Sequence, residues 1–244
     1  MANFSNNTVT NNQTNDGVVI SFAKIFGYMF VGLIITAAIA LGFGAICQYT
    51  NISVNAINAI LITCAILQLV LTIVIQFKIL KNGENSIVVP AILYCILMGF
   101  LLGSFGGVLE NGWALLGAAF GITALIFLLM TGIVVISKGK FNVFGIIALC
   151  ALVGAGLLSL VNLCIMWWAN PGASMTIYWI VSFAIFIAIL CITVYDIYNI
   201  KRIAQAGMMN KNTMMFCAFQ IYVDFIAILI RILYYLAIAV GRSR

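Results

Sequence analysis

The sequence contains no histidine. That absence removes histidine-ligated metal sites, Ser-His and Cys-His nucleophile pairs, and any histidine proton relay. Carboxylates are nearly as scarce, with five acidic residues in 244, and the charged fraction is 7%, where soluble domains carry roughly 25%. No nucleophile–base pair or metal-ligand cluster is visible, so the chain is not expected to be an enzyme. Proline occurs twice. Pro90 falls in a first helical turn, where its missing N–H costs little, and Pro171 falls in the turn Asn170-Pro171-Gly172. The seven cysteines, at 47, 64, 95, 150, 164, 191 and 217, form no CxxC pair. They lie in or beside apolar runs and read as small buried hydrophobes, not as disulfide or zinc partners.

What is abundant is apolar sequence: 65% of residues are hydrophobic, and mean hydropathy is +1.23. The apolar runs are long and uninterrupted, unlike the alternating segments of about ten residues in an outer-membrane barrel. The expected class is therefore an all-α polytopic membrane protein. Seven spans can be marked, over 25–47, 56–77, 87–107, 113–136, 141–166, 176–199 and 214–240. Before them, residues 1–20 form a polar, Asn-rich tract with too little apolar surface to order itself, expected as a disordered cytoplasmic tail.

The connectors indicate an orientation. Lys24, Lys78, Lys81, Lys138, Lys140, Lys201, Arg202 and Lys211 all flank one side of the spans, and the opposite loops at 48–55, 108–112 and 167–175 hold no basic residue. The basic side is expected to be cytoplasmic, with the amino terminus on it and the carboxyl terminus across the membrane. In a bacterium this would be the plasma membrane. Trp113, Trp167, Trp168 and Trp179 fall beside the outer loops, where an amphipathic indole prefers to sit. Arg242 and Arg244 mildly violate the rule, which leaves a re-entrant hairpin as the alternative for the last span. Gly99, Gly103 and Gly107 in the third span, and Gly117 and Gly121 in the fourth, have the four-residue spacing that lets helix backbones approach closely.

Two carboxylates stand where hydrocarbon is expected: Asp196 in Val194-Tyr195-Asp196 and Asp224 in Ile221-Tyr222-Val223-Asp224-Phe225-Ile226. A charge at that depth costs about 2.5 to 3.5 kcal/mol on insertion scales, which makes each a candidate functional residue. Asp196 could instead be an interfacial group paired with Lys201 or Arg202. For Asp224 the competing reading is an ion pair with Arg231, one heptad later, but the rise of about 10 Å between them is long for a contact within one helix. Arg231 fits better as a side chain that snorkels outward or meets another helix. The two aspartates differ in expected depth, so either the sixth span extends inward or the seventh starts late, near Cys217. Two close carboxyls in a low dielectric cannot both ionise cheaply, so such a pair shares a proton and titrates as a unit. Protonated, they can close a gap between helices; deprotonated, they repel and offer oxygen ligands to a hard cation such as calcium. Glu110 in an outer loop reads as a solvated charge, with a cation-attracting pore mouth as the second option.

Four stretches, Tyr28 to Ala37, Ser159-Leu160-Val161-Asn162-Leu163, Val194-Tyr195-Asp196 and Ile221 to Ile226, together resemble the Bax inhibitor-1 family over residues 22–241. The resemblance implies a seven-helix bundle with the last helix central, and a pH-sensitive calcium leak in which Asp196 and Asp224 form the coupled sensor and transient ion site. It also implies a latch between Asp196 and a basic residue at the end of the second span, here Lys78 or Lys81 where an arginine is expected. Lysine lacks the bidentate fork, so such a latch should be weaker. Gln68 stands where the family often carries glutamate, and Ala227 where asparagine is frequent in bacterial members. No cofactor is expected, with calcium as the transported ion and the lipid bilayer as the surrounding partner. The alternative function, also found among relatives, is a non-transporting protein that modulates a membrane partner such as a protease or cell-death regulator.

Overall fold

The computed structural model describes residues 3–50, 54–81, 87–108, 111–136, 143–145, 147, 171–207 and 209–242. Among them there is no strand. The helices are α1 (Asn3–Tyr49), α2 (Val54–Lys81), α3 (Val88–Val108), α4 (Gly112–Ile136), α5 (Pro171–Gln205) and α6 (Lys211–Arg242). Six stretches within them, Val19–Tyr49, Ala59–Lys78, Val88–Gly107, Gly112–Ile136, Trp179–Gln205 and Lys211–Val240, are long and apolar enough to cross a membrane. They correspond to six of the seven spans expected from sequence. The other, at 141–166, lies outside the described residues apart from 143–145 and 147.

Helix ends differ from expectation in instructive ways. α1 runs back to Asn3, through the polar tract for which composition suggests no order; adding a residue to an existing helix gains a hydrogen bond without a new nucleus. α5 continues to Gln205, six residues past the expected end, and stops where Gly207 adopts φ 69°, a left-handed conformation that suits glycine after a helix. α6 then begins at Lys211, earlier than expected, because Asn210 caps it: its Oδ1 accepts from the Thr213 N–H at 2.7 Å. The option of a late start near Cys217 is thus overturned, and the inward extension of the sixth span holds. α6 is one continuous helix of 32 residues, so the hairpin alternative for the last span is overturned too.

The exposed surface is apolar, as a hydrocarbon environment demands. On α2, Ile62, Ile66, Leu69 and Phe77 are each 60% or more exposed. α2 packs chiefly against α3, whereas α6 packs against α1, α4 and α5 and supplies much of the core, including Ile221, Tyr222, Ile226, Ile228 and Leu229. Ring contacts run across this core: Phe26 to Phe127 at 6.2 Å, Phe127 to Phe225 at 5.7 Å and Tyr94 to Phe219 at 5.2 Å.

The most extensive helix contact is α1 against α3. Without a hydrophobic drive between helices in lipid, such a contact depends on close van der Waals packing. The glycines supply it. A Cβ on Gly99 would lie 2.6 Å from Ile39 Cβ, one on Gly103 2.6 Å from the Ala40 carbonyl oxygen, and one on Gly107 2.7 Å from the Gly44 carbonyl oxygen. Gly117 and Gly121 of α4 have the same spacing but face open space, so they make no such contact. Gly103→Ala should therefore destabilise the protein by about 1 to 3 kcal/mol through overpacking, read as a lower midpoint of thermal unfolding in detergent. Gly117→Ala should leave that midpoint unchanged; equal effects of the two substitutions would rule out the packing argument.

Candidate functional site

α5 carries Asp196, and α6 carries Gln220 and Asp224 one helical turn apart on one face. The two helices pack together, and their carboxyls meet: Asp196 and Asp224 are hydrogen-bonded to each other, and the Gln220 side chain bonds Asp196 as well. Asp196 is 7% exposed and Asp224 9%. A hydrogen bond between two carboxyl groups requires that one of them carry a proton. The second oxygen of Asp224, Oδ2, is buried with no hydrogen-bond partner. Cys217, also buried, lies near Asp196. The site thus offers a proton held between two helices and one unsatisfied oxygen.

The extension of α5 accounts for the meeting. Asp196 lies nine residues before the end of α5 and Asp224 thirteen after the start of α6, which leaves a modest offset in depth that two packed helices can absorb. The interfacial alternative for Asp196 is not the arrangement found. Lys201 instead donates from Nζ to the carbonyls of Val134 at 3.0 Å and Val135 at 2.9 Å. That places its charge on the last turn of α4, where carbonyls lack helical partners.

The other residues singled out from sequence do not join this site. Arg231 meets another helix, its Nη1 donating to Ser182 Oγ of α5 at 3.3 Å, beside Tyr235, whose hydroxyl donates to the Ser182 carbonyl at 3.0 Å. Gln68 is buried and donates from Nε2 to Met98 Sδ at 3.3 Å. Lys78 is half-buried and, among the described residues, makes no ion pair with Asp196. Glu110 and the side chain of Lys81 lie outside the described residues.

Sequence reading missed Gln220, although a polar residue four before Asp224 must share its face. It also missed a buried polar junction next to the pair. Thr36 of α1 and Tyr222 of α6 share a hydrogen bond between their hydroxyls at 2.6 Å. Thr36 Oγ1 also lies 2.9 Å from the Gly32 carbonyl and 3.2 Å from that of Cys95. Tyr222 and the Cys95 thiol are hydrogen-bonded too. This junction ties α1, α3 and α6 together two residues from Asp224.

A family described as "Inhibitor of apoptosis-promoting Bax1" matches residues 19–241, which include all six described spans and both aspartates. The chain belongs to the Bax inhibitor-1 family. Among its relatives is the "Inner membrane protein YbhL" of Escherichia coli strains K12 and O6:H1, 28% identical over 232 residues that cover 91% of this chain and 92% of the relative. This Bax inhibitor-1 protein is a multi-pass membrane protein whose helices imply a lipid bilayer around them.

The junction yields a prediction for this member of the family. Tyr222→Phe removes the hydroxyl that Thr36 shares, while Thr36 keeps the Gly32 carbonyl. The expected loss is about 0.5 to 1.5 kcal/mol, measurable as a reduced unfolding midpoint in detergent. If Thr36→Val in the Tyr222→Phe background costs as much as it does alone, the two hydroxyls are not coupled.

Proposed function

We propose that this protein is a pH-sensitive cation leak, with calcium as the ion carried and the coupled carboxyls of Asp196 and Asp224 as its gate. The observation that carries the reading is their mutual hydrogen bond, made between two helices and away from water. While the proton is present, it joins α5 to α6. Gln220 donates to Asp196 and makes it the better acceptor, so the shared proton belongs on Asp224. Once the proton leaves, two charges about 4 Å apart repel by about 4 kcal/mol at the effective dielectric of a partly buried site. A single hydrogen bond to a charged group contributes about 1.5 to 3 kcal/mol, so repulsion outweighs what Gln220 can hold and the helices part.

Parted, the two carboxylates and the Gln220 amide offer oxygens of the kind calcium prefers, yet fewer than the six to eight of a storage site. That suits passage more than retention. The remaining parts of the reading rest on the family resemblance and the charge pattern. They are a seven-helix bundle with the last helix central, a cytoplasmic amino terminus, location in the plasma membrane and no enzymatic activity. A latch from Lys78 to Asp196 would belong to another conformation, since α2 here packs chiefly on α3.

The test is calcium flux in proteoliposomes across an acid-to-neutral pH series. The wild type should leak more as the proton is lost, and Asp196→Asn with Asp224→Asn should flatten that dependence. Unchanged flux and unchanged pH dependence in the double variant would remove the gate assignment. A wild-type protein inert in liposomes that co-purifies with one membrane partner would favour the non-transporting alternative.

A further inference from the structure

On the side of α6 away from the carboxyl pair, α1, α3 and α6 enclose a cavity of about 250 Å³. Its walls run from Tyr28 to Ile35 on α1, from Val88 to Cys95 on α3 and from Met215 to Tyr222 on α6. At about 100° per residue, Met215, Ala218 and Tyr222 form one stripe of α6, and Gln220 and Asp224 fall on the opposite one. Each wall rises by seven residues, so the cavity extends about 10 Å along the helices. Its high-numbered end is closed. A Cβ on Gly32 would lie 3.3 Å from both Cys95 Sγ and Tyr222 Cδ2, and just beyond, Thr36 bonds the Tyr222 hydroxyl and the Cys95 carbonyl. These polar groups bond one another, whereas a trapped water needs about two to four polar partners of its own.

The low-numbered end faces the membrane surface. Val88 is the first residue of α3, and Met215 lies four residues beyond the start of α6, about 6 Å at the helical rise, where a headgroup layer is about 5 to 8 Å thick. The cavity thus starts where hydrocarbon starts and occupies about two thirds of one leaflet's apolar half, itself about 15 Å thick. Tyr28, Val31 and Ile92 line it and are also exposed, so it opens sideways onto the bilayer. One turn nearer the surface, Lys24 precedes Tyr28 by four residues on α1, and Lys211 precedes Met215 by four on α6. That spacing puts each lysine on the stripe its helix gives to the cavity, and both are exposed. Their stems lean toward the helix starts, hence toward the surface. From the surface inward the order is cation and then apolar wall, the order of phosphate and acyl chain in a phospholipid.

We propose that this cavity holds one acyl chain of an anionic phospholipid from the adjoining leaflet, with the lipid's phosphate at Lys24 and Lys211. An apolar cavity of about 150 Å³ already binds benzene, and this one is larger and open to hydrocarbon chains. Two lysines beside the headgroup favour net negative charge over a zwitterion. Occupancy has a consequence for the carboxyl pair, which rests on the gate reading above; the lipid site does not. α6 borders the pair on one side and this cavity on the other, so the cavity is the space into which α6 moves when the carboxylates repel. A chain seated there opposes the parting of α5 and α6.

The experiment places the full-length chain in liposomes containing phosphatidylglycerol with a photoactivatable diazirine midway along one acyl chain, and reads the labelled residues by mass spectrometry. The wild type should be labelled saturably on the three walls, with unlabelled phosphatidylglycerol competing and phosphatidylcholine competing less. Ala91→Phe, which fills the cavity from α3, should cut this labelling about tenfold or more, the worth of two buried methylenes. Ala91→Leu should cut it less, and it decides the matter if the Phe variant has a lowered unfolding midpoint. Lys24→Gln with Lys211→Gln should abolish the advantage of phosphatidylglycerol over phosphatidylcholine. Ile66→Phe, on the lipid-facing side of α2, should label like the wild type. Labelling that does not saturate and falls equally on Ile66 and Leu69 would mean surrounding lipid only and would overturn the site, as would undiminished labelling of the walls in both Ala91 variants. Displacement by an equal concentration of free palmitate would overturn the phospholipid assignment in favour of a fatty acid. Calcium flux in the same liposomes tests the link to the gate, with Ala91→Phe expected to leak less than the wild type at neutral pH. If labelling follows Ala91 but flux does not, the site stands and the link fails; if the wild type carries no flux, the leak reading fails and the labelling still decides the site.

Discussion

In a hydrocarbon environment, a polar side chain must find its partner inside the protein, and this constraint organises the bundle more than any apolar contact does. Hydroxyls solve it locally. Thr36, Thr63, Thr72, Thr123 and Thr193 each donate to the carbonyl four residues earlier. Longer polar groups solve it across helices, and so they decide which helices pair. Lys201 ties α5 to the end of α4, Arg231 ties α6 to α5, and Gln68 ties α2 to α3. Asp196 and Asp224 are the case with the least slack. Each finds the other, and Asp224 still keeps a buried oxygen without a partner. A group left in that state is a natural place for a switch, because a change of one proton alters its whole account of partners.

Two kinds of helix contact support this arrangement. α1 and α3 approach through glycines until backbone meets backbone, a contact with little freedom to shift. α6 meets α1, α4 and α5 through large side chains, with aromatic rings between them. The Thr36–Tyr222–Cys95 junction joins the two systems. In the proposed gate, the α1–α3 pair is thus the frame beside the α5–α6 contact.

The family relationship and the geometry speak to different levels. Membership in the Bax inhibitor-1 family and similarity to an inner membrane protein establish the class of molecule. The proposed leak comes from the local chemistry of α5 and α6. There, Gln220 bonds Asp196 beside the proton bridge.

Much of this was legible in one dimension. Composition determined an all-helical membrane protein, apolar length determined where the described spans lie, and the cost of a charge in lipid singled out Asp196 and Asp224. The glycine spacing marked close packing in α3 and α4 alike, but only α3 uses it, because spacing places residues on one face without saying which neighbour that face meets. The same limit hid Gln220 and the Tyr222 junction. Their side chains look ordinary until α1, α3 and α5 are brought beside α6. It also left Arg231 free to pair with Asp224 and Lys201 with Asp196 on paper, where the fold sends them to Ser182 and to the α4 carbonyls. Sequence by itself determined what each segment must avoid in the membrane. Tertiary structure alone decided which partner each polar group found, because a hydrogen bond depends on distances of a few ångströms between residues far apart along the chain.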